Sequence, residues 1–470
     1  MYITTTIPYV NARPHLGFAL EIVQADVLAR HHRRLGEQVR FQTGTDDNSL
    51  KNVLAAEAAG VPVRDLVARN SEAFHALRGP LELSFDAFVR TSADPGHRAG
   101  VEELWAATAH DVYQKHYEGL YCVGCEQFYP DDHCPDGHAG PLQRVAERNW
   151  FFRLSRYQDR LIELIERGEL RIEPAARRNE VLAFLRAGVE DISISRSAER
   201  ARGWGIPVPG DPTQVIYVWW DALANYVTAL EDYERWWVRE PRRTHLLGKG
   251  VIRFHAVYWP AMLLSAGRPL PTELFVHDYL TIGGRKISKS GGATADPAEL
   301  AAVYGGDALR WWLLREVPRV GDVDFTEERL AARHDEDLAN GLGNLVSRVL
   351  TLIGRRLDGH APEPAEVLPA CLTVAERVGE ALDAFDFRRA AGAVWEIVTE
   401  ANAYIERTQP WKQADPAASL GTLLHACRTL AEQLAPFLPG AAARVAAQVH
   451  GVRLARPEPL FPRLVGGRTV

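Results

Sequence analysis

The chain has 470 residues, of which 46% are hydrophobic and 24% charged, a composition that excludes disordered, collagen-like and coiled-coil proteins. Its formal net charge of −7 excludes a polybasic nucleic-acid or membrane-surface protein, although local arginines could still bind a polyanion. Its apolar stretches are shorter than the roughly 20 residues of a membrane span, and its first residues do not resemble a signal peptide. We therefore expect a cytoplasmic protein with no membrane contact and about three domains.

The first fifty residues predict the start of a parallel sheet. A β-branched and aromatic run at residues 2–10 predicts a strand, helical spacing of apolar residues predicts a helix over Leu16–Arg34, and Val39–Thr43 predicts a second strand. Strand, helix, strand is the order of a βαβ unit, whose ligands bind beyond the carboxyl ends of the strands. Two segments fall at those ends, Pro8–Gly17 and Thr43–Ser49.

The rest of the chain divides by pattern. Residues 100–214 interrupt the βαβ order and read as an insertion, sheet-like runs return at Val215–Trp219 and His245–Leu247, and nearly everything after Leu330 is helical. The predicted fold class is α/β, with a Rossmann-type parallel sheet, an inserted connective domain and a C-terminal α-helical bundle. The predicted domains are 1–99 and 215–275 for the two halves of the sheet domain, 100–214 for the insertion, 276–330 for a linker region and 331–470 for the bundle. The predicted bundle helices are 331–356, 372–408, 416–436 and 440–450.

Three of the five cysteines lie close together in the insertion. Cys122 and Cys125 form a C-x2-C pair, and Cys134 with His138 forms a C-x3-H pair. Two such loops supply the ligands of a tetrahedral structural zinc site that leaves no position for catalytic water. His133 is a rival fourth ligand, and free cysteines or a redox C-x-x-C pair are the alternatives. We predict a zinc knuckle with the Cys3His ligand set.

Two short motifs carry side chains suited to a nucleotide. His15 and Gly17 fall at the predicted strand-to-helix turn, where an imidazole and backbone N–H groups can donate to a phosphate and a glycine allows close approach. Lys286 and Lys289 stand three residues apart after two glycines, in a chain with 54 − 6 = 48 arginines and only six lysines. A lysine ammonium is a compact charge suited to pyrophosphate. Each motif taken alone is also compatible with a solvated histidine or a basic surface loop.

Together these motifs resemble the two signatures of the class I aminoacyl-tRNA synthetases, as H-L-G at His15–Gly17 and K-I-S-K-S at Lys286–Ser290. The segments around them are similar to those of the methionyl-tRNA synthetase family, and the resemblance covers nearly the whole chain. These segments are Thr4–Asn11, Gly44–Asp46, Gly119–Tyr129, Asp191–Arg196, Trp204–Pro207, Tyr217–Ala222, Phe254–His255 and Trp259–Pro260.

The resemblance implies a two-step reaction. L-Methionine and ATP, with Mg²⁺, give methionyl-adenylate and pyrophosphate, and the methionyl group then passes to tRNA(Met). The implied catalytic residues are His15, Lys286 and Lys289. The implied ATP-binding residues are His15, Gly17, Gly248, Lys286, Ser288 and Lys289. The implied methionine pocket consists of Ile7, Pro8, Tyr9, Asp46, Trp219, Leu223, Tyr226, Phe254, His255 and Trp259.

The implied pocket makes chemical sense. Aromatic faces contact a thioether favourably, polar groups of tyrosine and histidine can address its sulfur, and Asp46 would bind the substrate ammonium. For any one of these aromatic residues, ordinary core packing is the alternative.

The resemblance also implies a tRNA site in the helical bundle. Asn344, Arg348 and Trp411 match the anticodon readers of the family, and residues four apart share a helix face. Splayed bases stacked on an indole and bonded by Asn and Arg are a common mode of RNA recognition. Because no further RNA-binding or dimerising domain is recognisable in the chain, we expect a monomer.

Three departures from the family pattern lie near the nucleotide. Phe18 replaces a second histidine, Asn48–Ser49 replace a His-Gly pair, and Gly250 replaces an aspartate. They leave two other hypotheses open: a paralogue that adenylates an amino acid for an acceptor other than tRNA, and a non-catalytic tRNA-binding or regulatory protein. The intact anticodon residues argue against the paralogue. The intact His15 and lysines argue against the regulator.

Overall fold

A computed structural model describes residues 1–122, 127–129, 142–287, 295–462, 464–465 and 468–469. The chain forms two compact units, each discontinuous in sequence. The first unit comprises Met1–Pro14, Glu37–Ala76 and Phe85–His277, and the second comprises His15–Gly36, Leu77–Ser84 and Asp278–Val470. Among the described residues, no helix has both the length and the apolar character that crossing a membrane requires.

A six-stranded parallel sheet organises the first unit. Its strands lie in the order Ala87–Arg90, Arg40–Thr45, Tyr2–Thr5, Arg243–Gly248, Glu273–His277 and Arg171–Glu173. The order reverses between Tyr2–Thr5 and Arg243–Gly248, which pair in register from Tyr2 with Arg243 to Thr5 with Leu246. Ligands of open parallel sheets bind at such a reversal, beyond the carboxyl ends of the strands. The predicted parallel sheet is therefore confirmed, although its first strand ends at Thr5.

Two sequence interpretations of this region differ from the structure. The apolar run Val215–Trp219 is not a strand of the parallel sheet: Asp211–Ile216 belongs to a separate antiparallel sheet, and Trp219 lies in the helix Val218–Thr228. Periodicity does not distinguish a short buried strand from a buried helix start, which explains the error. The predicted insertion also contributes an edge strand, Arg171–Glu173, to the parallel sheet.

The first unit contains two antiparallel sheets and several helices besides the parallel sheet. A three-stranded sheet has the order Pro207–Val208, Asp211–Ile216 and Ser195–Ser197, and a four-stranded sheet has the order Gln127–Tyr129, Val112–Cys122, Gln143–Phe152 and Ile192–Ser193. The α-helices are Leu50–Ala59, Val63–His75, His97–Ala107, Gln158–Glu166, Ala175–Arg186, Val218–Thr228 and Trp259–Ser265. Wider π-helical turns form Glu234–Val238 and Phe254–Tyr258. Short 3-10 turns form Ala109–Asp111, Leu154–Tyr157 and Lys249–Val251.

The second unit is mainly helical. Its α-helices are Leu16–Arg34, Pro297–Tyr304, Gly306–Arg315, Glu327–Arg333, Asn344–Arg356, Pro369–Asp383, Phe387–Thr408, Ala417–Leu434 and Pro439–Val449, with a π-helical stretch at His334–Gly343. Leu280–Ile282 lies between Arg285–Lys286 and Val323–Asp324 in a small sheet, and Leu464–Val465 pairs with Arg468–Thr469. The C-terminal helices confirm the predicted helical character.

One predicted bundle helix is divided in two. The interpretation of 372–408 as one helix is wrong, because the chain turns at Phe385, whose φ is +53°, and a new helix begins at Phe387. Asp386 caps that helix by accepting from the backbone N–H of Arg389. Aspartate is a strong N-cap, so this break had a signal in the sequence.

A buried arginine links distant segments of the second unit. The Arg310 guanidinium lies 2.8 Å from Asp26 and donates to the carbonyl oxygens of Leu81 and Phe437. Burial disfavours the charged form of Asp26, but the Arg310 and Arg30 guanidinium groups outweigh it and hold the Asp26 pKa below its usual value. The helix Leu16–Arg34 is thereby joined to the C-terminal helices within this unit.

Candidate active site

The two loops predicted to meet at the sheet edge are adjacent. The backbone N–H of Asp46 donates to the Pro8 carbonyl at 3.0 Å, and Tyr9 pairs with Asp46 in a parallel bridge. Asp46 is buried, with 1% of its surface exposed, and Ile7 is 9% exposed. The structure thus brings the backbone of Pro8 and Tyr9 next to that of Asp46.

An aromatic cluster lies beside this turn. The rings of Trp219 and Phe254 stack with centroids 3.7 Å apart and an interplanar angle of 7°. Tyr9 lies 6.2 Å and His255 lies 6.3 Å from the Trp219 ring. Four of the predicted pocket residues, drawn from three separate segments of the chain, therefore share one cluster. A short stack of this kind presents the flat, polarisable surface that a thioether prefers.

Local helix geometry explains how these side chains converge. Trp219, Leu223 and Tyr226 stand four and three residues apart on the helix Val218–Thr228, so they share one helix face. Phe254 and His255 begin the π-helical turn Phe254–Tyr258, a wider turn of a kind that is frequent at functional sites.

A polar pair lies within the aromatic cluster. Nδ1 of His255 lies 2.9 Å from the Val251 carbonyl, which can only accept, so in the neutral ring Nδ1 carries the proton. Nε2 of His255 then accepts from the Tyr226 hydroxyl at 2.8 Å. Trp259 is fully buried, and its ring lies 6.0 Å from that of Tyr226. All ten predicted pocket residues thus lie in the first unit. Seven of them are buried, and the other three, Pro8, Tyr9 and Trp219, are partly exposed.

Sequence reasoning missed a second buried histidine beneath this pair. The His245 ring stacks on Tyr226 with centroids 4.2 Å apart, and its Nδ1 lies 2.5 Å from the Thr4 hydroxyl. Burial, followed by the neighbouring His255 and Arg243, lowers the His245 pKa well below its usual value. The only signal in the sequence was a histidine inside the apolar strand His245–Leu247.

The departure at Asn48 has defined partners. Its backbone N–H donates to Oδ1 of Asp46 at 3.0 Å, and its side-chain Nδ2 donates to Oδ2 of Asp221 at 2.7 Å. The other oxygen of Asp221 lies 2.5 Å from Nε2 of His97, and Asp221 and His97 are both buried. Asp221 and His97 are positions that sequence reasoning did not select, because 124 residues separate them.

The neighbouring departure, Ser49, begins a helix. Its hydroxyl accepts from the backbone N–H of Lys51 at 3.1 Å, so Ser49 is the N-cap of the helix Leu50–Ala59. Serine is a preferred residue at this position. The Lys51 ammonium lies 5.2 Å from the centroid of the Tyr9 ring, within the range of a cation–π contact.

His15 caps a helix in the second unit. It is the N-cap of Leu16–Arg34, and its Nδ1 accepts from the backbone N–H of Gly17 at 3.1 Å. Nδ1 therefore lacks the proton in the neutral ring, and Nε2 is the donor. A Cβ on residue 17 would lie 2.9 Å from the imidazole, so glycine is required for this ring position. Phe18, the departure that follows, is buried, with 6% of its surface exposed.

The turn before the lysine motif is held by one carboxylate. Gly283 and Gly284 have φ angles of +59° and +72°, and both backbone N–H groups donate to Asp324, at 3.3 and 2.9 Å. The hydrogen bond from Gly284, followed by that from Thr281, lowers the Asp324 pKa. The strand Arg285–Lys286 follows this turn. Ser288 and Lys289 lie outside the described residues.

Gly248 lies at the carboxyl end of the strand Arg243–Gly248, opposite His277 in the register. A Cβ at this position would come within 3.3 Å of the His277 ring. Glycine therefore keeps the end of this strand open beside the point where the strand order reverses. Gly250, the third departure, lies in the 3-10 turn Lys249–Val251.

Comparison with known proteins decides the family. The family model described as tRNA synthetases class I (M) matches residues 1–145 and 138–350, and the anticodon-binding domain of tRNA ligase matches residues 366–451. A methionine–tRNA ligase from Brucella suis biovar 1 is 38% identical over 508 residues, covering 99% of this chain and 98% of that protein. The chain belongs to the methionine–tRNA ligase family.

Other relatives agree over nearly the full length. A methionine–tRNA ligase of Mycobacterium bovis is 40% identical, covering 94% of this chain and 91% of its own. A structure of Mycobacterium tuberculosis methionyl-tRNA synthetase in complex with methionyl-adenylate superposes with a TM-score of 0.91 at 38% identity, covering 98% and 99% of the two chains. The resemblance seen in the sequence is confirmed.

The zinc prediction of this family member falls largely outside the described residues. Cys122 is buried at the end of the strand Val112–Cys122, whereas Cys125, Cys134 and His138 are not among the residues described. Among the residues that are described, no group of three or more histidine, cysteine or acidic side chains could hold a metal ion.

The predicted anticodon residues of the ligase lie close together in the second unit. Asn344 is exposed and begins the helix Asn344–Arg356, and Arg348 follows one turn later. The Arg348 guanidinium carbon lies 4.9 Å from the centroid of the Trp411 ring, and its Nη1 lies 2.8 Å from Glu406. Trp411 is 37% exposed.

Sequence reasoning missed the residue that fixes the Trp411 loop. Arg356 donates to the carbonyl oxygens of Trp411 at 3.0 Å and of Gln413 at 2.6 Å. The preceding helix ends at Thr408, and the next residue, Gln409, has a φ of +46°, so the loop turns sharply before the tryptophan. Arg356 lies eight residues after Arg348 on the same helix, a spacing that two helical turns bring to one face.

Proposed function

We propose that this protein is a methionine–tRNA ligase that forms methionyl-adenylate from L-methionine and ATP and transfers the methionyl group to tRNA(Met). The observation that carries the proposal is the cluster at the sheet edge, in a chain similar to methionine–tRNA ligases over nearly its full length. There Tyr9 pairs with Asp46 and lies 6.2 Å from Trp219, which stacks on Phe254. The match to an anticodon-binding domain favours tRNA over another acceptor.

The pocket residues have complementary tasks. Asp46 would bind the substrate ammonium, because a buried carboxylate next to a cationic group forms a strong charge-assisted hydrogen bond. The stacked rings of Trp219 and Phe254 would contact the thioether and exclude water. The bonded Tyr226–His255 pair would contact the sulfur, and an aliphatic side chain of the same length would offer these polar groups no polarisable partner. Ile7, Pro8, Tyr9, Leu223 and Trp259 would complete the apolar wall.

The nucleotide side of the proposal rests on His15 and the lysine motif. MgATP is the substrate, and attack by the methionine carboxylate on the α-phosphate forms a new P–O bond and releases pyrophosphate. His15 would donate from Nε2–H to a phosphate oxygen at the start of its helix, where backbone N–H groups also favour an anion. Lys286, Ser288 and Lys289 would stabilise the charge on the departing pyrophosphate. Gly17 and Gly248 would allow the nucleotide to approach the backbone.

The second step would use the helical bundle. Asn344, Arg348 and Trp411 would read the anticodon of tRNA(Met), with a base stacked on the exposed indole and bonded by the amide and the guanidinium. The proximity of Arg348 to Trp411 supports a single reading surface. We further propose a cytoplasmic monomer, which size-exclusion chromatography with light scattering tests.

We also propose that Zn²⁺ is bound by Cys122, Cys125, Cys134 and His138 in a structural role. Three thiolates and an imidazole are a donor set typical of tetrahedral zinc. The metal would stabilise the loops that follow the strand Val112–Cys122. In Cys125→Ser, we expect the protein-bound zinc measured by atomic absorption to fall from about one per chain to near zero, with a lower melting temperature. Cys371→Ser, which changes a cysteine of the helical bundle, is the control. Full zinc content in Cys125→Ser would refute this ligand set.

Methionine-dependent ATP–pyrophosphate exchange, run beside charging of tRNA(Met), tests the main proposal. Exchange together with charging is the expected result. Exchange without charging would instead identify an adenylating enzyme with another acceptor. Binding of tRNA with neither activity would identify a regulatory protein and refute catalysis.

A further inference from the structure

A series of hydrogen bonds through the half-buried Asn48 connects the Asp46 turn to the helix Val218–Thr228. Asn48 donates through its backbone N–H to Asp46 and through Nδ2 to Asp221, which lies on the helix that carries Trp219. Asp221 in turn contacts Nε2 of His97 at 2.5 Å. Asn48 is therefore bonded both to the proposed ammonium-binding carboxylate and to the helix that carries Trp219.

His97, the last member of this series of hydrogen bonds, also has a second partner. Nδ1 of His97 lies 2.7 Å from the hydroxyl of Thr228, the last residue of the helix Val218–Thr228. Asp221 and His97 are 1% and 0% exposed. A carboxylate that accepts two hydrogen bonds in a buried setting has little freedom to rotate, because each lost bond would leave a buried polar atom unpaired.

Three further hydrogen bonds involve the backbone of the same turn. Trp204 Nε1 donates to the Asp47 carbonyl at 2.7 Å, the Asp47 N–H donates to Thr91, and Asn52 Nδ2 donates to the Asp46 carbonyl. These bonds fix the path of the main chain. The N–H of residue 48 bonds instead to a side-chain atom of this turn, Oδ1 of Asp46.

We propose that Asn48 is a positioning residue for methionine: anchored by Asp221 and His97, it holds the Asp46 carboxylate in the orientation that receives the substrate ammonium. The inference rests on the proposed function and deepens it. An uncharged donor suits this place, because a carboxylate at residue 48 would face Asp221 and repel it. Asn48 contacts no reacting atom, so its effect is expected in methionine binding and not in the chemical step.

Exchange kinetics of the full-length protein test this inference. Asn48→Ala keeps the backbone N–H that bonds to Asp46 but removes the Nδ2 bond that anchors this residue to Asp221. We expect the KM for methionine to rise about tenfold, similar to the loss of one hydrogen bond to a charged group. The KM for ATP and kcat should stay within twofold. In Asn48→Asp, the methionine KM should rise further, and Asn48→His, which supplies a ring N–H donor to Asp221, should recover most of the affinity.

A matched control separates positioning from stability. Asn70 is a buried asparagine of the same unit whose Nδ2 donates to the Val10 carbonyl at 2.7 Å. Asn70→Ala removes a comparable bond outside the chain described above and should leave the methionine KM within twofold. In an Asp221→Asn background, Asn48→Ala should add less than a twofold change, because residues that act through one network are not additive.

Three results would overturn the inference: an unchanged methionine KM in Asn48→Ala, an equal rise in the KM for ATP, or an equal effect of Asn70→Ala. If the wild-type protein shows no exchange, the proposed function fails, and titration of tryptophan fluorescence with L-methionine still compares the variants. Equal dissociation constants for wild type and Asn48→Ala would then refute the positioning role, and no binding by either protein would refute both proposals.

Discussion

The proposed methionine pocket and the proposed anticodon surface differ in how far their side chains are buried. In the pocket, Trp219 and Phe254 are already stacked and Asp46 is 1% exposed. On the anticodon surface, Trp411 is 37% exposed and Arg348 contacts Glu406, whose side chain is 64% exposed. A small ligand gains affinity from a site ordered before it binds, whereas an RNA base needs an aromatic face still open to solvent. The proposed pocket therefore consists mainly of buried side chains, whereas the proposed anticodon residues lie at the surface.

This contrast predicts different consequences of mutation. Changes in the pocket should alter methionine binding and stability together, because the same side chains form the core of the first unit. Changes on the anticodon surface should alter tRNA charging and leave both stability and adenylate formation in place.

The largest expected effect is that of Asp46→Ala. Removing the partner of a buried ammonium should raise the KM for methionine about 10²–10³-fold, in the range measured when one member of a desolvated charge pair is removed. Exchange assays over a range of methionine concentrations measure it. A rise of less than fivefold would mean that another group binds the ammonium and that the pocket is not organised around this carboxylate.

Trp411→Ala tests the other half of the comparison. Loss of one stacked base is worth about 1–3 kcal/mol, so kcat/KM for tRNA(Met) should fall roughly 10- to 100-fold. Methionine-dependent exchange without tRNA and the melting temperature should remain as in the wild type. A parallel loss of exchange would show that the anticodon surface is not separable from the pocket.

The features of the candidate site that could be predicted from the sequence are those encoded in short contiguous motifs. His15–Gly17 predicted a strand-to-helix turn, and the helix begins at Leu16 as expected. The helix face shared by Trp219, Leu223 and Tyr226 follows from spacing once a helix is known to start there. The resemblance to a family then indicated which of these side chains are expected to face a substrate, a property that periodicity alone does not contain.

The part that the sequence did not predict consists of contacts between distant residues. Asp221 and His97 meet across 124 positions, and nothing in either local pattern marks the pair. Asn48 appeared as a departure from the family, but its bond to Asp221 gives it a defined partner. Sequence comparison shows that Asn48 replaces a histidine. Only the structure shows that the asparagine, like a histidine, can donate a hydrogen bond to Asp221.

A smaller effect is expected in the pH dependence of stability, which tests whether His245 is buried in its neutral form. Burial holds the His245 pKa well below its usual value, so the native ring stays neutral while the unfolded ring gains a proton near pH 6.5. Below that pH the unfolded state binds one proton more than the native state. The free energy of unfolding therefore falls as the pH falls, by at most about 1.4 kcal/mol per pH unit for this group.

Thermal unfolding between pH 7 and pH 5 checks this expectation. The melting temperature of the wild type should fall with pH, and in His245→Gln this part of the slope should be absent. Thr4→Val removes the hydroxyl partner of the ring without removing the ionisable group, so it should keep the slope. Equal slopes in the wild type and His245→Gln would mean that the histidine is not buried in its neutral form.

The smallest expected effect is that of Glu406→Gln. It tests whether Glu406 competes with RNA for Arg348 or orients Arg348 for RNA binding. Arg348 lies between Trp411 and Glu406, and an exposed ion pair of this kind contributes little to stability. Because RNA must replace Glu406 as the partner of the guanidinium, Glu406→Gln should lower the KM for tRNA(Met) about two- to fivefold, with an unchanged melting temperature. The gain should shrink as salt rises, since screening weakens both interactions. A higher KM in Glu406→Gln would instead show that the glutamate orients Arg348 for the anticodon, making this surface preorganised in the same sense as the pocket.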